Sequence, residues 1–92
     1  MKNERVFLVV MGGDQKGIIA RVSGLLFEQD CNIVDVQQKV MDGTFVMTML
    51  VDIGDSKLGP SGLRGALEQL GERLGLTIML HSEAVIKAMH RV

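Results

Sequence analysis

Asp42-Gly43 lies between two alternating segments, and it constrains the fold of this chain more than any other short feature. A two-residue connection that needs positive φ at both positions joins antiparallel strands, and Asp-Gly supplies it. From Asn32 to Met41, Val34, Val36 and Val40 alternate with Asp35, Gln37 and Lys39. That pattern predicts a half-buried strand whose polar face suits a sheet edge. From Thr44 to Ile53, one face carries Phe45, Met47, Met49, Val51 and Ile53. The other carries Thr44, Val46, Thr48, Leu50 and Asp52, and is itself partly apolar.

The segments flanking the hairpin match each other. Val6 to Met11 is an unbroken apolar run, which predicts a strand buried on both faces and central in its sheet. Gly12 to Gly17 breaks it. Ile18, Ile19, Val22, Leu25 and Leu26 then recur at helical spacing, with Arg21 and Glu28 opposite, and Asp14 stands where it could cap the helix. Gly24 weakens that helix by about 1 kcal/mol relative to Ala unless something packs closely on it.

After the hairpin comes a loop from Gly54 to Gly59, and Pro60 fits a first helical turn. Leu63, Ala66, Leu67, Leu70 and Leu74 form the stripe of this second helix, which Gly75 stops. Leu76 to His81 reads as a last strand, with Ile78 and Leu80 on one face. Val85, Ile86, Met89 and Val92 place a short amphipathic helix over residues 83–92.

Strand–helix–strand–strand–helix–strand, with a tight central hairpin and right-handed crossovers, sets both helices on one face and the first and third strands in the centre. The expectation is an α+β, ferredoxin-like βαββαβ sandwich: a four-stranded antiparallel sheet, two helices on one face, and a short C-terminal helix. It forms a single domain over residues 1–92, with a core at 4–81.

Composition narrows the function. Ten basic against eleven acidic residues give a formal net charge of −1, without the cationic excess that nucleic-acid binding draws on. The 47% hydrophobic content is high for 92 residues, so some apolar surface is left for self-association. One cysteine, Cys31, excludes an internal disulfide and a cysteine zinc site and fits a reducing cytoplasm. The longest apolar run, Val6 to Met11, falls far short of the ~20 residues needed to span a bilayer, and Lys2, Glu4 and Arg5 do not make a leader.

Gly12 to Gly17 is the one stretch dense enough in glycine to suggest a ligand. Its Gly-x4-Gly spacing is followed by Ile18-Ile19, so the lysine and hydroxyl of a phosphate loop are absent. Two readings stand here: exposed amides that hold a small carboxylate, or a sharp turn with no ligand. Phe7 and Phe45 are the only candidates for RNA stacking, and core packing is the better reading of both. Arg21 is a full turn too far along to grip a phosphate in the loop. His81 and His90 form no metal-ligating pair, and no serine or cysteine arrangement reads as a nucleophile, so neither a catalytic residue, a metal nor a cofactor is expected.

Asp14-Gln15-Lys16-Gly17-Ile18-Ile19-Ala20-Arg21-Val22-Ser23 resembles the opening of ACT domains, and Gln29-Asp30-Cys31-Asn32-Ile33 resembles their helix exit and second-strand start. The resemblance runs through Leu80. The ending from Glu83 to Val92 is similar to that of stand-alone ACT proteins of bacteria and archaea, which in turn resemble the regulator of the glycine cleavage system. This implies a regulatory homodimer paired through sheet edges, with an amino acid bound where one subunit's glycine turn meets the other's second strand. By position, the ligand-facing residues would be Gly13, Asp14, Lys16, Gly17, Asn32 and Ile33. Lys16 departs from the family's proline, freeing the turn and bringing a cation near it. No enzyme or DNA-binding domain is recognisable, which implies that the regulated protein is a separate chain. The alternative is a ligand-free module that docks on an enzyme or a transcription regulator.

Overall fold

The computed structural model describes residues 4–89. In chain order the elements are β1 (Arg5–Gly13), α1 (Ile18–Glu28), β2 (Asn32–Met41), β3 (Thr44–Asp52), α2 (Gly59–Leu74), β4 (Thr77–Ser82) and α3 (Glu83–Met89). The sheet order is β2-β3-β1-β4, with every neighbouring pair antiparallel. This is the ferredoxin-like βαββαβ arrangement, followed by a short helix.

The hairpin forms as its sequence requires. Asp42 and Gly43 take φ of 51° and 80°, the left-handed pair of a type I′ turn, and Met41 faces Thr44. Phe45, Met47, Met49, Val51 and Ile53 are all buried. Val6, Leu8 and Val10 of β1 and Ile78 and Leu80 of β4 join them on the same side. Over this surface lie Ile18, Val22 and Leu26 of α1 and Leu63, Leu67 and Leu70 of α2. Pro60 sits in the first turn of α2, and Gly75 ends that helix at φ 71°.

Four expectations need correction. β1 is central, but only one of its faces is buried: Phe7 and Val9 are half-buried and Met11 is exposed, because both long helices pack on the other face. β1 also continues through Gly12 and Gly13, which pair with Phe45 and Thr44, so the turn begins later than the glycines suggest. Asp14 does not cap α1. The chain reaches the helix through Gly17 at φ 82°, which occupies the cap position itself and leaves Asp14 three residues upstream. Finally, β2 is hardly buried at all: every residue except Ile33 is exposed. A bulge between Ile33 and Asp35 makes Val34 an extra residue, while Val36 and Val40 share the helix side with Met49 and Phe45 yet extend past the helices.

The C-terminal helix follows β4 directly and lies against β1 and β4. Ser82 Oγ accepts from the Val85 amide at 3.1 Å, capping the first turn. Arg5, on the sheet face shared by Phe7 and Val9, donates to Glu83 Oε2 at 2.8 Å, so the start of α3 is tied to the face that α1 and α2 leave open. Val85 is exposed. The expected burial of Ile86, Met89 and Val92 lies outside the described side chains.

Candidate functional site

The glycine turn is held at two points. The Asp14 amide donates to the Gly43 carbonyl at 3.1 Å, joining the turn to the β2–β3 hairpin. Gln15 Nε2 donates to the Leu74 carbonyl at 2.9 Å, joining it to the last turn of α2. The three glycines do different work. A Cβ on Gly12 would meet Leu76 Cδ2 at 2.5 Å, so Gly12 lets β1 pass the buried Leu76. Gly13 has nothing within 4 Å of its Cβ position. Gly17 supplies the left-handed conformation from which α1 starts.

Between this turn and β2 lies a groove of about 440 Å³. Ile18 and Phe45, both buried, form its floor, and Asp14, Gly17, Gln38 and Lys39 are on its walls. The first turn of α1 enters it bare: no side chain caps the helix, and no acidic residue lies in that turn. Helix starts leave backbone N–H groups unpaired and carry a partial positive charge, so a carboxylate is the complementary ligand group. The groove therefore offers free amides for an anion, Asp14 for a cation, and an apolar floor, while Lys39 borders it with its side chain on the sheet face of Val46.

Of the residues expected at a ligand, Asp14 and Gly17 line this groove, while Gly13 and Lys16 stand next to it in the same turn. Asn32 and Ile33 do not approach it within one chain. They pair with Asp52 and Val51, whereas the glycine turn adjoins Thr44, eight residues away along β3. At roughly 3.3 Å per residue this separation is ~26 Å. Sequence reasoning missed Gln38, Lys39, Val40 and Ile19, which also line the groove. The signal was available in the hairpin, since a two-residue turn beside the end of β1 brings the last residues of β2 to the glycine turn.

Near Asn32, Cys31 is half-buried and its thiol donates to the Gln29 carbonyl at 3.6 Å. Burial, with Asp30 and Asp52 nearby, pushes its pKa up, against a lowering hydrogen bond with Ser56. Among the described residues no group of three or more His, Cys, Asp or Glu side chains could hold a metal ion, and no helix is long and apolar enough to cross a membrane.

Residues 4–81 match the family model of the ACT domain. A UPF0237 protein of Methanocaldococcus jannaschii is 42% identical over 88 residues, spanning 96% of this chain and 98% of that one. A UPF0237 protein of Lactococcus lactis is 36% identical over 88 residues, covering 96% and 99%. Among solved structures, an ACT domain protein from Streptococcus pneumoniae superposes with a TM-score of 0.82 at 35% identity, covering 97% of this chain and 100% of that one. A candidate glycine cleavage system transcriptional repressor shares the fold at a TM-score of 0.76 and 21% identity, over 89% of this chain and 47% of its own. The chain belongs to the ACT domain family, whose members are regulatory ligand-binding modules rather than catalysts.

Proposed function

We propose that this chain is a dimeric regulatory domain that binds a small amino acid in the groove beside the β1–α1 turn. The observation that carries this reading is the uncapped start of α1, together with the Asp14 carboxylate, above the apolar floor of Ile18 and Phe45. A zwitterion sets its carboxylate on the free amides and its ammonium on Asp14, and its side chain meets the floor. Dimerisation through the β2 edge follows from the exposure of that strand, and it brings a second copy's Asn32 and Ile33 into consideration at the site. A single reduced thiol fits a cytoplasmic protein.

The test is thermal denaturation in the presence of each of the twenty amino acids. At ~100 times its dissociation constant, a ligand of the native state adds roughly 2.7 kcal/mol. In a domain of this size that raises Tm by about 10–20 °C. A flat response to all twenty favours the second reading, a docking module for another protein. One observation speaks for it: Phe27, on the outer side of α1, is 82% exposed.

A further inference from the structure

The two edges of the sheet are built differently, and the hairpin fixes which backbone groups each strand turns outward. Met41 and Thr44 flank a two-residue type I′ turn and exchange hydrogen bonds, so the even-numbered residues of β3 bond toward β2 and the odd-numbered ones toward β1. The partners of those odd residues on β1 are even-numbered, which leaves Phe7, Val9 and Met11 to bond with His81, Met79 and Thr77 of β4. Ile78, Leu80 and Ser82 therefore turn their amides and carbonyls away from the sheet. Arg64 of α2 takes the middle one: its guanidinium donates to the Leu80 carbonyl at 3.0 Å.

Arg64 reaches this edge because α2 is pressed against β4. Gly71, two helical turns further on, stands so near that a Cβ would lie 2.7 Å from the Leu76 carbonyl oxygen and 3.3 Å from Ile78 Cγ1. From Gly71 back to Arg64 the helix runs about 10 Å, and from Leu76 to Leu80 the strand runs about 13 Å, so Arg64 comes level with Leu80. A donor 3.0 Å from an outward carbonyl stands where an incoming strand would put its own amide. β4 is also short, at six residues, and the chain turns into α3 directly after Ser82. A short strand with an occupied edge acceptor is a poor template for a further strand. The opposite edge, β2, is ten residues long and exposed at all but one.

We propose that Arg64 is an edge guard: its hold on the Leu80 carbonyl keeps β4 from adding a strand of another copy, so that association through sheet edges ends instead of propagating. A chain with two open edges can be joined at both, and such contacts build open filaments, whereas one closed edge stops growth after a single pairing. The guard acts on β4 alone and is independent of whether the groove beside the β1–α1 turn takes a ligand.

The test is mass against concentration, by light scattering from micromolar to millimolar protein. The wild type is expected to level off at a small constant mass, and so is Arg64→Lys, whose ammonium can still donate to the carbonyl. Arg64→Ala is expected to grow to at least twice that mass with its circular dichroism unchanged. Adding Met79→Lys, which puts a like charge on β4 of every copy, is expected to return Arg64→Ala to the wild-type mass. Met79 is exposed on the open sheet face, so this lysine replaces no core residue. Arg64→Ala at the wild-type mass throughout, even with a lowered Tm, makes Arg64 a brace between α2 and β4 and overturns the proposal. Growth that Met79→Lys does not reverse comes from general destabilisation and overturns it as well, as does a wild type whose mass rises without limit.

Discussion

A Cβ on Gly71 would stand 2.7 Å from the Leu76 carbonyl oxygen and 3.3 Å from Ile78 Cγ1, so α2 reaches the start of β4 only because this position lacks a side chain. Gly71→Ala is expected to destabilise the fold by about 1–3 kcal/mol in urea denaturation, through backbone displacement. Gly24 looks the same in sequence, a glycine inside a helix, but nothing lies within 4 Å of its Cβ position. There Gly24→Ala should raise stability by about 0.5–1 kcal/mol, since only the flexibility of the unfolded chain changes. The opposite signs were not legible in the sequence, because they depend on what α2 and α1 each face. Cys31 gives a pH test. The thiolate is the reactive form, and a raised pKa means less of it at any given pH. Alkylation by iodoacetamide should therefore reach half its maximal rate at higher pH in the folded protein than in urea. Coincident profiles would contradict the burial of this thiol.

Elements were legible where local chemistry and tertiary demand agree. Asp42-Gly43, Pro60 and Gly75 each fix a backbone conformation whatever surrounds them, and each was found where its chemistry points. The misses came where the neighbourhood decides. Gly12 is a strand residue because it pairs with Phe45, and its missing side chain leaves room for Leu76, 64 positions away in sequence. Asp14 has the chemistry of a cap but not the place, because the left-handed Gly17 delays the helix. Of the candidate site, the half that lies in one contiguous segment was readable, and the half contributed by Gln38 and Lys39 required the pairing of β1 with β3. The helix α3 belongs to this scale as well. It rests on β1 and β4 and is anchored by the Arg5–Glu83 pair. Ending the chain after Ser82 is expected to uncover apolar sheet surface around Phe7, Val9 and Met79 and lower both solubility and Tm. A truncated protein as soluble and stable as the full chain would show that α3 covers nothing of consequence.

At the scale of the whole molecule, one layer of helices protects one face of the sheet, and β2 extends beyond it with its edge unpaired. An exposed ten-residue edge strand is a standing invitation to pair, guarded by the bulge at Val34 and by Asp35 on the Val36 amide. If the ligand groove is completed by the second copy's Asn32, ligand binding and association are two ends of one equilibrium. Linkage then requires that a bound amino acid tighten the dimer by the same factor as dimerisation tightens the ligand. Asn32→Ala tests that linkage at the ligand. It should leave the sedimentation of the apo-dimer unchanged and weaken the amino acid by about 1–3 kcal/mol in calorimetry, the cost of a buried polar partner left unsatisfied. Unchanged affinity in Asn32→Ala, with the wild type binding, would place the whole ligand site within one subunit.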